Sequence, residues 1–302
     1  MTETPVRSLM RAIACAVAVF SIAIASAQTG DAGAKLEPAA ALSAKYAATK
    51  DRLGRTSFGR PLQMESLEGK DTVSGEIHAV VDHSFAMTGA ALSTPSQWCD
   101  ILILHLNTKY CRPVADSRPA ILHVVIGTKF DQPILEGHRM NFAYSIAART
   151  ADYLQVNLNA DEGPLGTRDL RITVSAIPAD DGKTFIRLHY SYAYGTIARV
   201  AMQAYLRTMA HDKVGFTVVG KETDGEPRFV GGMRGVVERN TMRYYLAIEA
   251  FLGALSAPPN ARMAKSLGDW FTATEGYPRQ LHEMGRSEYL EMKRKEYARQ
   301  QG

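Results

Sequence analysis

Beyond Pro113 and as far as Gly195, the chain is written almost wholly in the period of an extended strand. PAILHVVIGTKF, HRMNFAYSIAARTADYLQVNLNA, TRDLRITVSAI and KTFIRLHYSYAYG follow one another, and Ala179-Asp180-Asp181-Gly182 is the turn between the last two. Strands joined this closely pair antiparallel, because a parallel crossover needs a dozen or more residues. Downstream, TIARVAMQAYLRTM reads as a helix and VGFTVVGKE as a strand. RGVVERNTMRYYLAIEAFLGAL is the longest helical pattern in the chain, and it stops at Pro258-Pro259. An α+β class follows, with an antiparallel sheet and one long helix late in the chain.

The upstream segments add detail. RPLQMESLEG and TVSGEIHAVVDHSF alternate polar with apolar residues and are split by Gly69-Lys70-Asp71, as in a hairpin. In FAMTGAALSTPSQWCDILIL, Ser93 or Thr94 can cap a helix with Pro95 at its first position, which carries Trp98, Ile101 and Leu102 inward. Glu37-Pro38 opens AAALSAKYAATKDRL, a peripheral helix stopped by Gly54. Residues 260–302 hold further helix-like stretches. GRSEYLEMKRKEYARQQ offers charged pairs rather than an apolar stripe and reads as a surface extension.

The order strand, short helical pair, run of antiparallel strands, final strand and long helix resembles the START-like (Bet v 1-like, polyketide-cyclase-like) helix-grip superfamily. The matching stretch runs from about Gly75, through Pro95-x-x-Trp98, to the helix Gly235–Leu255. The resemblance implies a curved antiparallel sheet wrapped around the long C-terminal helix, with an internal cavity that in relatives takes lipids, sterols or other apolar molecules. The extra N- and C-terminal helices and the helix between Gly195 and Ala210 are departures from that pattern. The chain divides into a signal peptide (1–27), a tether and helix (28–59), the helix-grip domain (60–257) and a helical C-terminal extension (258–302).

Residues 1–27 combine Arg7 and Arg11, an apolar run from Ala12 to Ile24, and the small-x-small site Ala25-Ser26-Ala27. A run of about 13 residues is shorter than a bilayer span of roughly 18 to 20, so a cleaved Sec-type signal is expected, with no permanent transmembrane segment. There is no twin-arginine pair, and Cys15 lacks a lipobox. Cleavage leaves Cys99 and Cys111 in an oxidising compartment, where a disulfide is expected; the short loop it closes contributes about 3 kcal/mol. These features suit a periplasmic protein.

With 302 residues, 46% hydrophobic and 22% charged, the composition excludes a disordered or disulfide-dense chain. The formal charge of +4 is spread among interleaved acids, so nucleic acid is not an expected partner. The eight histidines show no metal-ligand spacing, and nucleophile-elbow, P-loop and dinucleotide-binding motifs are missing, so no metal, cofactor or catalytic residue is assigned.

Candidate ligand-binding residues come instead from strand and helix faces. The period of two places Leu188, Tyr190, Tyr192 and Tyr194 on one side, with Arg187, His189, Ser191 and Ala193 on the other; Phe142, Tyr144 and Ile146 form a similar face. These rings either line a cavity or pack as core. On the long helix Val237, Thr241, Tyr244, Ile248 and Phe251 recur at helical spacing. Arg239 and Arg243 lie one turn apart, able either to pair with Glu238 and other acids at the surface or to grip a carboxylate or phosphate head group. Together with Trp98 these are the candidate lining.

The expected function is an exported soluble protein that binds a hydrophobic or amphipathic small molecule, in all expectation a lipid, for carriage or buffering in the cell envelope. Two alternatives stand. One is a cyclase- or hydrolase-like enzyme using His83, His105 or His189 with a nearby Tyr or Asp. The other is a non-catalytic scaffold docking an envelope protein partner through its C-terminal helices.

Overall fold

A computed structural model describes residues 39–114, 117, 119–195 and 213–301. The signal peptide, the tether and the helix expected between Gly195 and Ala210 lie outside the described residues.

α1 (Ala39–Leu53) precedes the hairpin of β1 (Leu62–Glu68) and β2 (Thr72–Val81). The short helices α2 (Phe85–Leu92) and α3 (Pro95–Leu102) follow. A meander of six strands comes next: β3 (Thr108–Pro113), β4 (Ala120–Ile126), β5 (His138–Arg149), β6 (Leu154–Glu162), β7 (Thr167–Pro178) and β8 (Thr184–Tyr194). The sheet order is β1-β2-β8-β7-β6-β5-β4-β3, with every neighbouring pair antiparallel. The α2–α3 pair therefore carries the chain from β2 to the far edge, and the meander returns β8 to the side of β2.

VGFTVVGKE does not extend this sheet: β9 (Val218–Lys221) pairs only with β10 (Pro227–Phe229) in a separate two-stranded ribbon. The long helix α4 (Gly232–Ala254) follows, then α5 (Pro259–Glu275), α6 (Pro278–Leu281) and α7 (Arg286–Gln301). None of the described helices is long and apolar enough to cross a membrane.

Local chemistry explains the boundaries. Ser84 Oγ accepts the Met87 N–H and caps α2. Pro95 opens α3 behind Thr94, whose side chain makes no capping bond. The β7–β8 turn places Asp181 and Gly182 at φ 58° and 69°, the left-handed region that short polar residues and glycine tolerate.

The main core lies between one sheet face and α4. Ile77, Val124, Val156, Val174 and Leu188 meet Val237, Leu246 and Ile248 there. Gly75 permits the closest approach of sheet and helix, since a Cβ at this position would overlap Thr241 Oγ1. The opposite sheet face has its own small core, in which Leu42 and Leu53 of α1 cover Tyr153, Ile177 and Phe185. α1 is thus a cover for the sheet rather than a peripheral appendage.

The tail is also integral. Trp270 and Tyr289 stack with ring centroids 5.0 Å apart, and Trp270 Nε1 donates to the Arg243 carbonyl. On α7, Lys293 and Glu296 are wholly buried. Glu296 receives Lys109 Nζ of β3 at 2.9 Å and Lys293 Nζ at 2.7 Å, while the two ammonium groups also donate to the Leu106 and Thr108 carbonyls. The expectation of a surface extension is corrected in part: Lys293 and Glu296 are spent inside the protein, while Glu291 and Lys295 make an exposed charged pair of the kind expected.

Candidate functional site

β8 supplies the wall of the site. Its alternation puts Tyr190, Tyr192 and Tyr194 on the helix-facing side, all buried, while His189 and Arg187 point to the opposite face and meet Glu76. Tyr190 packs against Tyr192 with centroids 5.7 Å apart, and edge-on against Tyr244 of α4 at 5.3 Å. Tyr244 in turn stacks on His105 at 4.9 Å. The sheet wall, the long helix and the α3–β3 turn thus meet in one aromatic cluster.

Val236, Asn240 and Tyr244 recur at four-residue spacing and keep partial exposure, although α4 is otherwise buried along most of its length. Burial pushes the Tyr190 and Tyr192 hydroxyls well above their ordinary pKa and that of Tyr244 up to about 12. Burial, together with Arg243, drives His105 well below the ordinary histidine value. The ring is therefore neutral. Its Nδ1 accepts the Asn107 N–H at 3.2 Å, which leaves the hydrogen on Nε2, and Nε2 has no hydrogen-bond partner.

The remaining predicted residues divide by role. Trp98 Nε1 and Tyr144 Oη both donate to the Leu92 carbonyl, at 2.7 and 3.2 Å, so they close the end of α2. Phe142 is buried beside them on the sheet face, whereas Ile146 is 39% exposed because a register shift after it breaks the β5–β6 alternation. Arg239 and Arg243 are buried rather than at the surface, and neither is held by Glu238. Arg239 donates to the Val214 carbonyl at 3.1 Å, and Arg243 to Glu283 at 2.8 Å. Glu238 is consumed elsewhere, accepting from Ser66, from the Thr217 hydroxyl and from the Phe216 and Thr217 N–H groups.

Glu283 was not foreseen. It gathers three cations, Arg243, Lys129 at 2.6 Å and Lys213 at 3.3 Å, from segments far apart in the chain, and no local spacing announces such a cluster. Asn240, which lies one helical turn before Tyr244 on the same stripe, was legible from the helical period alone.

His83 sits elsewhere, in a cavity of about 210 Å³ with Arg60, Asp82, Glu249 and Asp269, and no tyrosine of the wall lines it. Arg60 and Glu249 pair across this cavity. Among the described residues no group of three or more His, Cys, Asp or Glu side chains converges as a metal site would require. Cys99 and Cys111 form the expected disulfide, with Cα atoms 5.1 Å apart, joining α3 to β3 beneath the site.

No family model and no curated protein matches the sequence. Solved structures similar to it include norcoclaurine synthase from Thalictrum flavum, 16% identical, over 48% of this chain and 90% of that one, with a TM-score of 0.33. Human StAR-related lipid transfer protein 5 is 10% identical over 57% and 91%, with a TM-score of 0.31. A conserved protein from Geobacillus kaustophilus is 10% identical over 60% and 95%, with a TM-score of 0.33. Likenesses of this size carry no argument about function. Its own strand order, with β2 beside β8, a helical pair crossing to the far edge and a long helix laid on the sheet, is the α+β arrangement expected from the sequence.

Proposed function

We propose that this is an exported protein that binds a hydrophobic or amphipathic small molecule, a lipid in the favoured case, between the tyrosine wall of β8 and α4, and carries or buffers it in the periplasm. The observation that carries the reading is the cluster Tyr190–Tyr192–Tyr244–His105. Its aromatic faces are enclosed, while His105 Nε2 has no partner, and the neighbouring stripe Val236–Asn240–Tyr244 keeps partial exposure inside the fold. An apolar wall beside an unpaired polar atom, His105 Nε2, suits a ligand that is mostly hydrophobic with one polar end. The export pattern of residues 1–27 and the disulfide support the compartment.

The two rivals find less support. A general acid or base works best with a pKa near the operating pH, yet His105 is displaced well below that range and the tyrosines beside it well above. His83 and His189 lie away from the tyrosine wall, His189 beside Glu76 on the opposite sheet face. A scaffold docking through its tail would have only the outer faces of α5 and α7 to use, since Trp270, Phe271, Tyr289, Met292, Lys293 and Glu296 are buried within the chain.

The test is mass spectrometry of organic extracts from residues 28–302, purified without detergent beside a mock purification. A stoichiometric small molecule is the expected result. An empty extract, with no rise in Tm from a lipid panel, overturns the reading, because a ligand at a hundred times its Kd would add about 2.7 kcal/mol.

A further inference from the structure

The unpaired polar atoms beside the tyrosine wall are donors on positively biased ground. His105 and Arg243 are each 3% exposed, and no group stands at hydrogen-bond distance and angle from His105 Nε2 or Arg243 Nε. They belong to one locale. Arg243 Nη1 reaches Asn240 Oδ1 at 3.5 Å, Asn240 and His105 act on each other directly, and Arg243 is the charge that acts most strongly on His105. Because His105 Nδ1 is already an acceptor for the Asn107 N–H, Nε2 can only donate. Arg243 Nε–H is likewise a donor and nothing else. Two enclosed donors therefore wait for an acceptor.

The charge beneath them is unbalanced in the same sense. Arg243, Lys129 and Lys213 share the single carboxylate of Glu283, so the cluster carries a surplus of positive charge. Buried donors left unmade are costly, and Arg243, buried while it shares one carboxylate with two half-buried lysines, adds a positive bias, so a native protein that keeps both has a use for an anion there.

We infer that the His105 Nε2–H and Arg243 Nε–H groups, with the Asn240 carboxamide between them, receive a carboxylate head group, so that the ligand is an amphipathic acid with its apolar body on the tyrosine wall. The inference rests on the binding function proposed above and specifies its ligand class. Ammonium or neutral head groups find no acceptor for their hydrogens at these two atoms.

Binding of two matched pairs to residues 28–302 tests it by calorimetry: laurate against dodecanol, and 2-naphthoate against 2-naphthylmethanol. At least one acid should bind tenfold or more tightly than its alcohol. His105→Phe, which keeps a ring against Tyr244 but removes the donor, should cut that preference at least fivefold. Lys129→Met, outside the wall, should weaken acid binding alone. Alcohols that bind as tightly as their acids, or a preference intact in His105→Phe, overturn the carboxylate assignment while the binding function stands. Failure of all four probes overturns both.

Discussion

Replacing Glu296 by Gln isolates the energetics of the buried tail. In the folded protein its carboxylate neutralises Lys109 and Lys293, and all three side chains are fully enclosed. Glu296→Gln keeps the shape and leaves two buried ammonium groups with no anion, held by the Leu106 and Thr108 carbonyls and, for Lys109, the Met292 sulfur. Removing one partner of a buried ion pair costs about 3–5 kcal/mol. At about 2–4 °C per kcal/mol for a domain of this size, thermal unfolding followed by circular dichroism should fall by about 10 °C. Lys293→Met should cost less, because Lys109 and Glu296 remain as a neutral pair.

Alkaline pH gives an independent readout. Burial pushes Lys293 down to about 8 against the pull of Glu296, whereas its ordinary value is 10.5. Between those values the unfolded chain binds the extra proton, so stability rises with pH across that window, and the rise is smaller in Lys293→Met, where Lys109 and Lys129 remain lowered by burial. A Glu296→Gln melting point within about 1 °C of the parent would refute the reasoning, since a pair worth that little is a solvent-exposed one.

The remaining predictions concern the sheet. Burial lowers His78 to about 4 from 6.5, so stability should fall as pH drops through that interval. Burial raises Glu76, but His189 and Arg187 outweigh it and hold the carboxyl at about 2, which extends the loss from 4.5 downward. Each contributes about 2–3 kcal/mol, readable as a pH-dependent urea midpoint, and His78→Gln should flatten the upper part of the profile. Gly75→Ala drives a methyl group into Thr241 and should cost about 1–3 kcal/mol in urea unfolding, with partial recovery in Gly75→Ala/Thr241→Ala; an unchanged midpoint would mean that helix and sheet do not touch there. Cys99→Ser/Cys111→Ser should lose about 3 kcal/mol, and the parent should lose a similar amount on reduction.

Strands β5 to β8 were readable because their alternation is regular over many residues and their partners lie next to them in the chain. β3 was not. TKYCRP is short, ends in proline and carries Lys109, a residue that sequence reasoning places in solvent. It enters the interior because Glu296, 187 residues away, neutralises it. The same reason hid the tail: the mixed charges of α7 look like a solvated face until Lys109 arrives from the sheet. Arg243 presented an ordinary surface pairing for the same reason, since Glu283 is supplied by the segment between α6 and α7.

The sequence by itself therefore determined the class, the strand faces, the tyrosine row, the cysteine pair and the long helix, because each is written in a local period or a short separation. Tertiary structure alone decided which face of β8 meets α4, that Trp98 and Tyr144 close a helix end, and that His105, Asn240 and Arg243 stand together with two donors unpaired. Local periodicity tells a side chain which way to point, but the energy of a buried charge or donor depends on what the rest of the chain brings to it.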